Sequence, residues 1–434
     1  MAASPRAKGR RRAAGSARSQ FWRSLGPGLI TGAADDDPSG IATYAQAGAQ
    51  FAFGLGWTLI LAYPLMVAVQ AICARIGRTT GAGIAGNLRK HYPAWILQTI
   101  VALLFCANVL NIGADLGAMA QSMRLLVPLP AWAGLLLFAV ISTAGPVLLE
   151  HTRYVAVLKW LTFSLLAYFG TLITVPIPWA TLLRSLVWPH VSASHDFWLT
   201  VVAVLGTTIS PYLFFWQAAQ EVEDTKAHPV RQPLLQAPRQ ASSALARIRT
   251  DTLTGMALSN LVGLAILITS AVTLHSRGIV DVGTAAQAAA ALKPVAGTQA
   301  FLLFAVGIIG TGLLSVPVLA GSAAYALGEA RRWEVGLSRA PLQAKAFYST
   351  IALATLLGAV LNVIRIDPMK ALVWAAVLNG IVAVPVLIMV MLLGARADVM
   401  GKFRISTRLQ VWGWIATGVM AVASAVFLLS TVRS

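Results

Sequence analysis

Charge is what this chain has least of. Only 11% of its 434 residues are Asp, Glu, Lys or Arg, against roughly 25% in a soluble globular domain. Acids are scarcest, 15 against 33 basic residues, and the mean hydropathy is +0.73. Such a composition belongs to a polytopic membrane protein. The net charge of +18 would suggest nucleic acid in a soluble protein. Here the basic residues gather at the ends of apolar runs, where they orient helices, so a nucleic-acid partner is excluded. Cysteine is nearly absent as well. Cys73 and Cys106 both lie in apolar runs, which excludes a disulfide framework and a cysteine metal cage; both read as core packing. No Walker loop, nucleophile motif or zinc motif occurs, so neither an enzyme nor a bound cofactor is expected.

What the chain does have is long apolar runs. Eleven approach the length of about 20 residues that crosses a bilayer: 22–50, 53–76, 95–125, 131–149, 154–176, 197–220, 252–275, 300–328, 346–364, 370–394 and 409–431. With the amino terminus inside, 26 Lys and Arg fall on the inner side and 7 on the outer. That asymmetry orients the chain. Residues 1–20 then form a basic cytoplasmic tail rather than a signal peptide, and the carboxyl terminus is extracytoplasmic in a plasma (inner) membrane.

Two prolines divide this pattern. Pro38, in ADDDPSG of span 1, and Pro211, in TTISPY of span 6, each begin a block of five spans. Five is odd, so the second block must run upside down relative to the first. Proline removes an amide donor and clashes with the preceding turn, freeing carbonyls that are tolerated at membrane depth only beside protein or a watery cavity. A simple kink is the alternative for either proline alone. Paired interruptions in inverted halves point instead to a midplane substrate site.

The acids sharpen that reading. Only Asp35, Asp36, Asp37 and Asp115 lie deep within spans, and an aspartate at a helix centre costs about 2.5–3.5 kcal/mol on insertion scales. No Lys or Arg is near in sequence, which leaves a bound cation as the counter-charge. Successive helical residues point about 100° apart, so the three aspartates cannot all face one ligand. Asp37, directly before Pro38, has the strongest claim, with carbonyls from Ala34 or Asp35 beside it. Asp35 and Asp36 line an aqueous vestibule or are protonated. Asp115 is a supporting group, a proton acceptor or a structural hydrogen bond. Thr207, Thr208, Ser210 and Tyr212 offer oxygen around the second break. With no His, Cys or Met in either motif, the donors suit Mg²⁺, Ca²⁺ or Mn²⁺ better than Zn²⁺ or Cu⁺.

GPGLITGAADDDPSGIATYAQAG resembles the first helix of the NRAMP family of divalent metal transporters, whose signature there is Asp-Pro-Gly-Asn. GADL in span 3, SPY in span 6, and LNGIVAVP with DVMGKF around the end of span 10 extend the resemblance from Gly26 to about Phe427. It implies an all-α integral membrane protein of the LeuT type, with eleven transmembrane helices, five-plus-five inverted repeats and broken helices 1 and 6. The repeats would occupy residues 21–180 and 195–395, with a cytoplasmic loop at 221–250 and the eleventh helix at 405–434. Asp37 matches the family's metal-binding aspartate, whereas its asparagine ligand falls at Gly40. The family's Met-Pro-His becomes Ser210-Pro211-Tyr212, which removes a soft ligand and the histidine tied to proton transfer. Asp115 matches the helix 3 aspartate, but the acid a turn later is Ala118. The helix 10 glutamine has no match, and Asn379 is the nearest amide.

The expectation is a secondary transporter for uptake of divalent cations by alternating access. Mg²⁺ is the first choice of substrate and Mn²⁺ the second, and the absent histidine argues against proton coupling. Metal contacts are expected from Asp37, Ala34, Gly40, Thr207 and Ser210, supported by Asp115, Asp36, Tyr212 and Asn379. Partners are the cation and the lipid bilayer, with no obligate protein. Two transporter alternatives are a proton-coupled Mn²⁺/Fe²⁺ transporter of the ordinary NRAMP kind and a cation-coupled carrier of amino acids or amines. A membrane sensor is a third, but it would need an output domain that is not expected after span 11.

Overall fold

The computed structural model describes residues 27–148, 165–189, 191–228, 230–364 and 367–433, and among them there is no strand. The amino-terminal tail, much of expected span 5, and Arg153, Lys159 and Arg365 of the charge count lie outside the described residues. The main helices are α1 (Pro27–Asp35), α2 (Pro38–Phe51), α3 (Gly56–Thr80), α4 (Ile84–His91), α5 (Ala94–Met123), α6 (Ala131–Leu148), α7 (Leu166–Thr174), α8 (His195–Thr208), α9 (Pro211–Ala227), α10 (Ala241–Thr273), α11 (Ala300–Arg331), α12 (Lys345–Leu361), α13 (Pro368–Ala395) and α14 (Thr407–Arg433).

Among the described residues, seven helical stretches are long and apolar enough to cross a membrane by themselves. The other expected spans are accounted for differently. Span 1 is the pair α1 and α2, spans 4 and 9 are the shorter helices α6 and α12, and span 5 is represented by α7. Large apolar side chains such as Leu136, Ile173, Leu356 and Val422 point outward, as a lipid-facing surface requires. Cys106 is exposed as well, which corrects its reading as core packing. An apolar run inside a bilayer does not distinguish a lipid-facing side from a protein-facing one.

The expected loop 221–250 is helical for much of its length, because α9 runs on to Ala227 and α10 begins at Ala241. The charged residues that suggested a loop lie on helical extensions. Glu221 and Arg247, one on each extension, form an ion pair at 2.5 Å.

Both prolines interrupt their helices. Pro38 is the first residue of α2 and Pro211 the first of α9, the position where proline's missing amide costs nothing. The interrupted helices sit deep in the bundle through close backbone approach. A Cβ on Gly32 of α1 would stand 2.3 Å from the Gly255 carbonyl of α10, and one on Gly206 of α8 would stand 2.1 Å from the Ala376 carbonyl of α13. Small residues at such crossings are how membrane helices replace the hydrophobic drive that lipid does not supply.

Candidate metal site

The two breaks meet at one buried point. Asp37 is the N-cap of α2, with extended backbone, and its Oδ1 accepts from the Gly40 amide at 2.7 Å and the Ser39 hydroxyl at 2.6 Å. Oδ2 accepts from Asn111 Nδ2 at 3.3 Å and lies 3.3 Å from the Tyr212 hydroxyl. Tyr212, in the first turn of α9, can also donate to the Ala34 carbonyl at the end of α1, 3.1 Å away. One phenol therefore spans both interruptions. Asp37 and Ser210 are each 1% exposed.

Asp35 and Asp36 turn toward α10, where the Ser259 hydroxyl lies 2.5 Å from Asp35 Oδ2 and 3.1 Å from Asp36 Oδ1. Asp115 accepts from Ser315 of α11 at 2.8 Å. At the second break, Ser210 directs its hydroxyl back onto its own helix, to the carbonyls of Gly206 at 2.8 Å and Thr207 at 2.7 Å. The Thr207 carbonyl thus has a donor already, whereas its buried Oγ1 has none. Asn379 is wholly buried, and neither its amide oxygen nor its nitrogen has a partner.

Gly40 fixes the shape of the site. A Cβ added there would stand 3.1 Å from Thr207 Oγ1, 3.4 Å from the Asp35 carbonyl oxygen and 3.5 Å from Asp37 Oδ1. Oxygens from both breaks thus close on Gly40, and even a methyl group would be tight against Thr207 Oγ1. Asp35 Oδ1, Asn111 Oδ1 and Asp115 Oδ1 add further buried oxygens without donors. Each such orphan costs on the order of 1–3 kcal/mol if nothing satisfies it. Acceptors of this kind are what a cation or the water it carries satisfies. No group of three or more His, Cys, Asp or Glu with metal-holding geometry occurs among the described residues. The donor set therefore fits a cation that keeps much of its water and does not fit a closed cage.

Several partners were not anticipated. Asn111, Ser39, Ser259 and Ser315 all bond the four aspartates. Asn111 had a legible signal, because it lies four residues before Asp115 on α5 and hence on the same helix face. The serines had none.

Hydrogen bonds tie neighbouring segments together on either side of the site. At the basic end of the bundle, Asp251 accepts from the Gly28 amide at 2.7 Å, and both oxygens of Glu329 accept, from the Gly83 and Gly86 amides at 2.8 Å each. At the opposite end, Gln46 of α2 donates to the Val280 carbonyl at 3.1 Å and accepts from the Val282 amide at 2.8 Å, while His275 meets the Ala49 carbonyl at 2.8 Å.

Comparison with known proteins agrees with this architecture. The chain is 27% identical over 414 residues to the divalent metal cation transporter MntH of Burkholderia ambifaria, covering 92% of this chain and 87% of that protein. It is 24% identical over 406 residues to the MntH of Klebsiella pneumoniae, covering 91% of each. The crystal structure of the Eremococcus coleocola manganese transporter superposes with a TM-score of 0.74 at 16% identity, over 94% of this chain and 87% of that one. Mhp1, a nucleobase-cation-symport-1 family transporter, superposes with a TM-score of 0.54 at 13% identity over 94% and 90%. The fold is the expected all-α, LeuT-type membrane architecture with broken helices 1 and 6. The family model described as natural resistance-associated macrophage protein-like matches residues 28–430, and the chain belongs to this Nramp family.

Proposed function

We propose that this chain is a divalent metal cation transporter that takes up hydrated Mg²⁺ by alternating access, with Mn²⁺ as a second cargo. The observation that carries the reading is the convergence of three oxygens from the two breaks on Gly40. Where the family resemblance puts an asparagine ligand, this chain has a glycine on which Thr207 Oγ1, the Asp35 carbonyl and Asp37 Oδ1 close, and where it puts methionine there is Ser210. Mg²⁺ dehydrates reluctantly, keeps several waters and uses one or two carboxylates. Asp37 meets the ion or its first water shell, Thr207 and Ser210 hold waters, and Asn111 and Tyr212 fix the carboxylate. Ala34 lends a carbonyl; Asp115, Asp36 and Asn379 stand behind the shell.

The cycle follows from the ties at the two ends. Release of the Gln46 and His275 contacts opens the site toward one side, and release of Asp251 from Gly28 and Glu329 from the α4 end opens it toward the other. In this reading the basic end faces the cytoplasm of a plasma membrane, the carboxyl terminus lies on the opposite side, and residues 21–180 and 195–395 are the inverted repeats. Proton coupling is not required. A divalent ion gains about 4.6 kcal/mol per 100 mV of inside-negative potential, twice the single-charge value, which suffices for accumulation on the order of a thousandfold.

The solved relative is named a manganese transporter, which favours Mn²⁺ as cargo, and the rival reading is proton-coupled Mn²⁺ transport. Ion competition on purified protein in proteoliposomes separates the two. The expected outcome is Mg²⁺ flux that Mn²⁺ inhibits at comparable concentration, without internal acidification. If Cd²⁺ and Fe²⁺ bind far more tightly than Mg²⁺, or flux carries protons, the hydrated Mg²⁺ reading fails.

A further inference from the structure

Remote from the aspartates, the basic end of the bundle contains a cavity of about 310 Å³, within the range of small-molecule sites. Three separate helices contribute its cations: Arg89 and Lys90 from α4, Lys226 from the end of α9, and Arg332 immediately after α11. Trp333, 38% exposed, supplies an aromatic face.

Two acids also line the cavity, each hydrogen-bonded to the protein, against four cations. Glu329 spends its two oxygens on the Gly83 and Gly86 amides at 2.8 Å each, and Glu223 accepts from the Ser338 hydroxyl at 2.6 Å. Arg89 donates to the Glu329 carbonyl. Lys90, Lys226 and Arg332 have no ion-pair partner among the described residues. The cavity thus presents three cations outside any ion pair among the described residues, with Lys226 within electrostatic reach of Glu329.

Backbone conformation singles out one of them. Arg332 follows α11 at φ +62°, in the left-handed region, where helix ends ordinarily place glycine. A strained non-glycine residue retained at a cavity rim is a pointer to use. Glycine would relieve the backbone and lose the guanidinium.

We propose that this cavity binds a phosphorylated anion, its phosphate oxygens held by Lys90, Lys226 and Arg332. Arginine and lysine from different directions suit a tetrahedral, multiply charged group, and Trp333 offers a stacking face for an attached base. The same chemistry occurs in a soluble nucleotide and in an anionic lipid headgroup, since basic pockets between membrane helices on the cytoplasmic side take such headgroups. An anion seated there ties α4, α9 and α11 together.

The test is calorimetric titration of the purified full-length chain in phosphatidylcholine nanodiscs, with pyrophosphate and ATP, both free of divalent metal. Saturable binding is expected, weakened by about tenfold in Lys226→Gln and in Arg332→Gly, the loss associated with one charged hydrogen-bonding partner. Arg332→Gly fits its backbone better than the parent residue, so its loss of binding cannot be ascribed to misfolding; unchanged thermal unfolding verifies this. Tighter binding of ATP than pyrophosphate, removed by Trp333→Ala, identifies a nucleotide. Cardiolipin that raises the unfolding temperature of the parent but not of Arg332→Gly identifies a headgroup. The proposal is overturned if neither soluble anion saturates and cardiolipin acts equally on parent and variant, or if the variants bind both anions as the parent does.

Discussion

The two helix breaks start from the same device, a proline at the first position of the new helix, and use their capping residues in opposite directions. Asp37 reaches forward, accepting from Ser39 and the Gly40 amide of α2. Ser210 reaches backward, donating to the Gly206 and Thr207 carbonyls of α8 and leaving α9 without a side-chain cap. A helix carries partial positive charge at its amino end and partial negative charge at its carboxyl end. The first break neutralises its positive end with a fixed carboxylate; the second adds only hydroxyl and carbonyl oxygen. A cation placed between them is ligated from one side and solvated from the other, and that asymmetry can be broken at either end.

The largest effect is expected at Asp37. Asp37→Ala removes the cap, which costs about 0.5–2 kcal/mol, together with the carboxylate shared by both breaks. Asp37→Asn keeps an oxygen for the Gly40 amide and removes only the charge. Both should lower Mg²⁺ flux by at least about a hundredfold, at the upper limit of what loss of a supporting group does to metal affinity. Only the alanine variant should unfold at lower temperature. Parent-like flux in Asp37→Asn would mean that charge at the first break is dispensable.

Tyr212→Phe comes next. Its hydroxyl links the Ala34 carbonyl and Asp37 Oδ2 across the breaks, and a hydrogen bond of this kind contributes about 0.5–1.5 kcal/mol. Flux at low Mg²⁺ should fall roughly twofold to tenfold, with the fold intact by circular dichroism. An unchanged KM would show that the two breaks do not need this connection.

Why the sequence revealed some of this and not the rest follows from the range of the interactions. Pro38 and Pro211 act on their own turns, so the breaks were legible residue by residue, as were helix ends such as Ala94, Ala300 and Pro368, within two residues of expectation. Asp37 as a cap is likewise local. Ser259 reaches Asp35 across 224 positions and Ser315 reaches Asp115 across 200, and no local pattern marks either serine. The helical extensions of α9 and α10 were hidden because hydropathy reads membrane depth, and a helix continuing into water looks like a loop. Cys106 failed for the complementary reason, that lipid and protein interior are equally apolar. The departures at Gly40 and Ser210 were visible as absences; what surrounds them, an orphaned Thr207 hydroxyl and the Asp35 carbonyl each close to Gly40, needed three dimensions.

The smallest effect is expected from Ser210→Ala, and its smallness is informative. Because the Ser210 hydroxyl donates to carbonyls one turn back, its removal frees the Gly206 and Thr207 oxygens while taking away one weak donor. The two changes oppose each other at a site that binds a solvated ion, so Mg²⁺ flux should alter by less than about twofold, well inside the 1.4 kcal/mol of a tenfold change. Ser210→Met makes the same position speak differently. A thioether cannot hold water as a hydroxyl does and prefers soft ions, so Cd²⁺ should compete with Mg²⁺ about tenfold more strongly than in the parent or in Ser210→Ala. A large loss of flux in Ser210→Ala would instead place the hydroxyl in direct contact with the ion, and the second break would then be a ligand like the first.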